Sequence, residues 1–232
     1  MWTQGNSMSI EVKCGEKLRD FVLQNIQSSK RVTVISPWIS VETAKILVDL
    51  ASRGVEVSLI TTNDPHPFHV KGLTTLIDVE RRVKKPGKVG FARAGLLMFI
   101  AGLLLGGLLM FIGELLTGIV LLVVLSITGL LLYFRYKPVF EELYYPKIGE
   151  LIVSGSKLHA KLILTENAVG LGSPNFTEAG LTKNIECFVW IKEPSVYNKV
   201  LEDVNALKTA LQREALDYKS VYLMARRRRL KT

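Results

Sequence analysis

In the stretch SKLHAKLILTENAVGLGSPNFTEAGLTKNIE, Ser156 to Glu186, a histidine and a lysine stand two residues apart at His159 and Lys161. Ser173 and Asn175 share that spacing just after Gly172, and so do Asn184 and Glu186. Residues two apart in a strand project from the same face. Neighbouring strands carrying these pairs would gather an imidazole, an ammonium, a hydroxyl, a carboxamide and a carboxylate on one surface. A phosphodiester is anionic, and attack on it needs positive charge and hydrogen-bond donors at its non-bridging oxygens. Lys161, Asn175 and Ser173 supply these without a metal. Histidine serves as nucleophile or proton donor near neutral pH, and Glu186 is expected to fix the tautomer and orientation of His159.

These groups need a frame, and the surrounding sequence reads as alternating α and β. RVTVIS is a β-branched strand ending at Ser36-Pro37-Trp38; VETAKILVDLASRG carries Ala44, Leu47, Val48 and Ala51 at helical spacing and stops at Gly54. VEVSLITTND is a second strand. ELIVSG, KLHAKLILT, NAVGLGS and NIECFVWIK predict four more, and PSVYNKVLEDVNALKTALQREAL a closing helix. In KLHAKLILT, Leu158, Ala160, Leu162 and Leu164 are expected in the core, with His159 and Lys161 on the opposite face. The pattern is interrupted once, between the second strand and the third, which predicts an α/β fold with an insertion.

The insertion is the run from Ala94 to Phe134, about 41 residues in which Glu114 is the only charged side chain and long enough for two spans of roughly 20 residues each. Two helices near Ala94–Ile112 and Leu116–Phe134, turning at Gly113-Glu114-Leu115, predict a transmembrane hairpin. A mean hydropathy of +0.26 agrees. Arg81, Arg82, Lys84, Lys85, Lys88 and Arg93 precede the first helix, and Arg135 and Lys137 follow the second. Basic flanks belong on the cytoplasmic side, so both termini and the α/β body are expected there, with only the turn outside. Gly102 and Gly106 have the small-xxx-small spacing that lets helices approach closely, either on the second helix or on another subunit. The start, MWTQGNSMSI, lacks the apolar region of a signal peptide.

The predicted domain limits are 1–90 and 138–225 for the two parts of the α/β domain, 91–137 for the hairpin and 226–232 for a basic tail. The formal net charge is +9. Arg81–Arg93 contributes six positive charges and the tail RRRRLK five, with no acid in either, which leaves −2 for everything else. A nucleic-acid enzyme is expected to carry its positive charge around the site; here it lies beside the bilayer and at the end, where anionic headgroups attract it. Cys14 and Cys187 show neither metal-ligand spacing nor a disulfide framework, and in a cytosolic body both are expected as reduced thiols, Cys187 in a strand core.

His159-x-Lys161, the acidic Glu166, Gly172-Ser173-x-Asn175 and the later Glu186 together resemble the HKD motif of the phospholipase D superfamily. ISPWI and ASRGVEVSLIT resemble the first half of that domain. The resemblance implies an α-β-α sandwich with a mixed central sheet, no cofactor and no metal. It implies His159 as nucleophile, forming a phosphohistidine, with a second histidine protonating the leaving group. The chain holds one full motif, because His69-Val70-Lys71 is followed by neither the acid nor Gly-Ser-x-Asn. His66 and His69 are read as a loop or helix start. The second histidine is therefore expected from another copy, in a homodimer whose two His159 rings face across the axis. Glu166 stands where the family has Asp, and the gap from it to Gly172 is about one residue shorter than usual in the family.

Three functions follow. The first is a membrane-anchored phosphodiesterase acting on phospholipid headgroups, by hydrolysis or phosphatidyl transfer. The second is a membrane-tethered nuclease, since single-motif members include dimeric nucleases and a motif does not choose its substrate. The third, motivated by Glu166, is an inactive membrane-bound scaffold.

Overall fold

A computed structural model describes residues 9–84, 89–155 and 157–229; Lys85 and Lys88 of the basic flank, and Lys231 of the tail, lie outside the described residues. The element order is β1 Ser9–Gly15, α1 Arg19–Gln27, β2 Arg31–Ile35, α2 Val41–Ser52, β3 Glu56–Thr62, α3 Pro67–Thr75, β4 Ile77–Val83, α4 Val89–Phe111, α5 Leu115–Tyr136, β5 Phe140–Pro146, β6 Glu150–Ser154, β7 Leu162–Leu164, β8 Val169–Gly172, α6 Glu178–Thr182, β9 Glu186–Lys192, α7 Pro194–Gln212 and α8 Tyr218–Arg229. The chain divides into two compact units, one of Met1–Val79 with Tyr144–Thr232 and one of Glu80–Leu143.

The first unit is built on a seven-stranded sheet in the order β1-β9-β8-β7-β2-β3-β6. β2, β3 and β6 run parallel, whereas β7, β8, β9 and β1 pair antiparallel, so the sheet is mixed. Strand alternation sends Val32, Val34, Val57, Leu59, Leu151 and Val153 to one face, where they bury against Leu18, Val22 and Ile26 of α1 and Ala44, Leu47 and Leu50 of α2. Ile35, Ile60, Ile152 and Leu164 point the other way, against Tyr197, Val204 and Leu211 of α7. The result is the expected α-β-α sandwich with a mixed central sheet.

Because both faces are covered, the sheet has no polar face. This corrects the expectation of a continuous strand through KLHAKLILT: only Leu162–Leu164 is strand, and residues 157–161 are irregular. Ala160 is exposed rather than buried. Strand β1 and helix α1 are additions that no expectation covered; β1 is polar at alternate positions and closes one edge of the sheet against β9.

That pairing overturns the reduced-thiol expectation. The β1–β9 register sets Cys14 opposite Cys187, with Cα atoms 4.1 Å apart, and the two are joined in a disulfide. The 173-residue separation hid the partners from any reading of spacing. Both cysteines are exposed, so Cys187 is not a core residue.

The second unit holds α4 and α5, each long and apolar enough to cross a bilayer. Their facing surfaces are small: Ala92, Gly95, Gly102 and Gly106 on α4 and Gly118, Ser126 and Gly129 on α5 are the buried positions of the two helices. A Cβ added at Gly106 would stand 2.5 Å from the Leu122 Cβ, and one at Gly102 would stand 2.8 Å from the Leu125 Cβ. Gly102 and Gly106 therefore pack on α5, which decides between the two partners left open by the sequence. Gly113, at a φ of 97°, makes the turn. Leu104, Phe111, Leu116 and Leu131 are 66–87% exposed on the outer faces, a contiguous apolar surface of the kind that lipid covers. β4 and β5 pair as a two-stranded ribbon through which the chain enters and leaves the hairpin, with the Arg81 guanidinium 4.3 Å above the Phe140 ring.

Two outcomes are expected. The unreduced, denatured protein carries no alkylatable thiol and gains two on treatment with dithiothreitol, read by mass spectrometry. Gly106→Ile destabilises the hairpin by about 1–3 kcal/mol through overpacking, measured by unfolding in detergent, whereas Gly107→Ile, where an added Cβ meets nothing within 4 Å, leaves the packing intact.

Candidate active site

The carboxyl ends of parallel strands in an open α/β sheet are where ligands bind. Here the ends of β2 and β3 continue into the loops Ser36–Ser40 and Asn63–His66, which are joined by buried hydrogen bonds. The Thr61 and Thr62 hydroxyls donate to the Pro37 carbonyl at 3.1 and 2.7 Å. The Ser36 hydroxyl donates to the Trp38 carbonyl at 2.7 Å and accepts from the Phe176 amide at 2.9 Å. His69, fully buried on α3, accepts at Nδ1 from the Ile39 amide (3.0 Å), which leaves Nε2–H to donate to the Thr62 carbonyl (2.8 Å). α3 comes this close because Gly72 has no side chain; a Cβ there would lie 2.7 Å from the Ile39 carbonyl oxygen.

His69 is thus a neutral structural link between the two loops. Burial pushes its pKa down, and its backbone partners offset this only in part. His66 is exposed at the start of α3, in a ring cluster with Phe68 at 4.3 Å and Trp38 at 6.2 Å.

Five of the six sequence-derived site residues fall into three groups, and the sixth, Asn175, lines a cleft with His159. His159 and Lys161 meet directly: the Lys161 ammonium lies 3.3 Å from Nδ1 and 3.4 Å from Nε2 of the ring, and donates to the His159 carbonyl at 2.9 Å. The ammonium is nearly equidistant from the two ring nitrogens, so a phosphoryl group seated at either nitrogen would bring its oxygens within reach of the cation. Ser173 and Glu186 form a second node. The Ser173 hydroxyl donates to Glu186 Oε2 and accepts from the Cys187 amide at 3.1 Å, while the Asn184 carboxamide donates to Oε1 at 3.2 Å. The expected bond from Glu186 to His159 is replaced by these contacts: the imidazole is oriented by Lys161, and Glu186 by Ser173 and Asn184.

Glu166 is the third case. β7 runs antiparallel to β2 with Leu162 opposite Ile35 and Leu164 opposite Thr33, so Glu166 arrives at the start of β2, the end remote from Ser36–Trp38. Its carboxylate accepts from the Lys30 amide at 3.2 and 3.3 Å and from the Arg31 amide at 3.4 Å. It braces the β2 terminus, and its antiparallel register places it away from His159.

A cleft of about 490 Å³ is lined by Pro37, Trp38, Thr62, Asn63, Asp64, Pro65, Gly155, Lys157, Leu158, His159 and Asn175. Asn175 Oδ1 is a buried acceptor with no hydrogen-bond donor among the described residues. Asp64 accepts at 2.8 Å from the His66 amide. That bond holds its carboxyl below the usual range, against a smaller opposing effect of burial, with the Trp38 side chain contributing a further hydrogen bond. Trp38, Asp64 and Lys157 were missed in the sequence. The signal available was their position at strand ends, in SPW and TTND, rather than any spacing between them.

No protein-family model and no curated protein matches the chain. Among solved structures it is similar to Nuc, a phospholipase D family member from Salmonella typhimurium, at 19% identity and a TM-score of 0.47, covering 91% of this chain and 99% of that one. NucT from Helicobacter pylori shows 11% identity and a TM-score of 0.46 over 91% of this chain and 100% of that one. A phosphatidylserine synthase from Haemophilus influenzae shows 12% identity and a TM-score of 0.43 over 99% of this chain and 47% of that one. Likeness at these identities and scores carries no argument about chemistry.

The buried imidazole makes stability depend on pH. Because the folded His69 has a lowered pKa, its contribution is complete above the unfolded value of about 6.5. It is lost as pH falls below that value toward the folded pKa, while the unfolded chain takes up the proton. The thermal midpoint is expected to drop more steeply between about pH 7 and pH 5 in the wild type than in His69→Gln, which keeps a donor and an acceptor without titrating.

Proposed function

We propose that the chain is a membrane-anchored phosphodiesterase of the phospholipase D type, acting on phospholipid headgroups through a phosphohistidine at His159. The observation that carries this reading is the Lys161 ammonium seated on the ring of His159, a residue that lines a cleft together with Lys157 and Asn175. An attacking ring nitrogen forms a bond to phosphorus while the bond to one ester oxygen breaks; that oxygen leaves as an alcohol after taking a proton. The Lys161 ammonium and the Nδ2–H of Asn175 stabilise charge on the non-bridging oxygens as it builds up. Water or an alcohol then displaces the histidine from phosphorus. The motif resemblance assigns the proton donor to a second His159, so the active form is a homodimer with one shared phosphate pocket.

Glu166 supports activity rather than a scaffold role. Its carboxylate is engaged with the Lys30 and Arg31 amides, so exchange of Asp for Glu alters a brace and leaves the reacting groups untouched. The phospholipid substrate rests on the covalent hairpin, which raises the local concentration of lipid, and on a body that carries no surplus of positive charge. The basic flanks favour a cytoplasmic active site. The exposed Cys14–Cys187 disulfide favours the other side, since such bonds persist in oxidising compartments. Labelling of residues in the α/β unit on intact cells with a membrane-impermeant reagent decides between the two.

Purified full-length protein in detergent is expected to cleave labelled phospholipid in preference to single- or double-stranded DNA or RNA; the reverse preference makes it a nuclease. His159→Ala is expected to lower turnover by at least about 10³-fold, as removal of a nucleophile does, and to abolish the acid-labile phosphoenzyme trapped by rapid quench. Glu166→Gln retains turnover and loses stability. Absence of phosphoenzyme and turnover on every substrate, with the dimer intact by cross-linking, overturns the enzyme reading.

A further inference from the structure

A second cleft, of about 620 Å³, shares no lining residue with the one at His159. The two lie toward opposite ends of β6: Gly155 of the first follows that strand, and Lys147 of the second precedes it. Lining the second are Thr74, Asp78 and Val79, then Lys147, and Tyr222 and Arg226 of α8. Lys147 and Arg226 bring two positive charges and Asp78 one negative, which leaves the lining net positive. Neither cation is in an ion pair among the described residues. The Asp78 carboxylate accepts instead from the Val79 amide at 2.9 Å.

Both sides of this cleft are fixed by local bonding. Asp217 organises the first turn of α8 by accepting from the amide and the hydroxyl of Ser220 at 2.9 and 2.6 Å, and the buried Val221 seats the helix on the core. Residues four apart share a helix face, so Tyr222 and Arg226 project together. The Tyr222 ring packs at 5.3 Å on Tyr144. Lys147 is held by its own amide, which donates to the Leu76 carbonyl at 2.7 Å, and by the burial of Ile148 beside it. Arginines near a helix C-terminus complement the helix dipole. That accounts for the charge of the RRRR run, but not for Arg226 sharing a cleft with a lysine from a distant part of the chain.

Two unpaired cations beside a phenol suit a phosphate, which takes charge-assisted bonds from the ammonium and the guanidinium and a further one from the hydroxyl. Val79 and Lys147 also belong to the two connections of the hairpin: Val79 stands ten residues before Val89, where α4 starts, and Lys147 ten residues after Lys137, which follows α5. A bilayer that holds the hairpin therefore presents headgroups to the cleft at the high effective concentration of two short tethers. We propose that Lys147, Arg226 and Tyr222 form a binding site for the phosphate of an anionic phospholipid, which is held there without turnover, apart from the His159 cleft. This inference rests on the membrane-anchored part of the proposed function and not on the chemistry at His159.

The test follows acylation of Lys147 by an N-hydroxysuccinimide ester, read by mass spectrometry, in full-length His159→Ala protein in neutral detergent, where no lipid is consumed. Phosphatidylglycerol added to the micelles is expected to protect Lys147, and phosphatidylcholine at the same mole fraction is not. The lipid concentration for half-protection is expected to rise about fivefold in Arg226→Gln, the share of one basic residue near anionic lipid. It is expected to rise less than about twofold in Arg227→Gln, which is exposed and outside the cleft. Equal losses in the two variants mean diffuse attraction to the arginine run and overturn the cleft. Protection by inorganic phosphate or by an oligonucleotide at or below the effective phosphatidylglycerol concentration overturns the lipid assignment. An unprotected Lys147 in a chain that resists extraction from membranes by alkaline carbonate ends this site and leaves the anchored reading; extraction of the chain ends both. Protection in a protein whose wild type cleaves no lipid supports the site while ending the phosphodiesterase reading.

Discussion

The candidate site depends on one buried imidazole. Two parallel strands end side by side, and their loops expose backbone groups that no strand partner satisfies; burying these unpaired costs on the order of 1–3 kcal/mol each. Neutral His69 settles two of them at once, accepting from Ile39 and donating to Thr62. The same region extends to the Gly-Ser-Pro-Asn turn. Phe176, directly after Asn175, donates its amide to Ser36 and accepts from the Thr43 hydroxyl at 2.7 Å. The loop after β2 therefore positions both Trp38 and Asn175 in the cleft, and the buried His69 ties that loop to the one after β3.

Much of this architecture was legible in the sequence because its signals are local. The apolar run announced the hairpin, and Ser40 with Thr43 forms a capping box that starts α2 where the periodicity begins. The β-branched runs of β2 and β3 and the apolar stripe of α7 were equally plain. What escaped depended on contacts distant in the chain. β1 is short, polar on alternate residues and meaningful only against β9. Cys14 and Cys187 look unrelated until that register sets them opposite each other. His159 and Lys161 were expected to share a strand face; they meet instead across an irregular segment, because a sheet buried on both sides has no face to give them.

The acidic residues show the same limit. Glu166 and Glu186 lie in one continuous motif by sequence, yet the first braces the beginning of β2 and the second is tied to Ser173 at the start of β9. Asp64 belongs to no motif, and its importance comes from standing at a strand end in a shared cleft. Topology rather than spacing assigned these three carboxylates to separate tasks.

The bond between Cys14 and Cys187 encloses every residue between them in a covalent ring, and both α4 and α5 lie inside it. The polypeptide on either side of the insertion is thereby fastened independently of the hairpin. A backbone break anywhere in the hairpin leaves a single molecule of two chains, with the edge strand still stapled beside Glu186. The ring also closes only after β9 has emerged from the ribosome, so oxidation marks a chain in which both apolar helices have already been made.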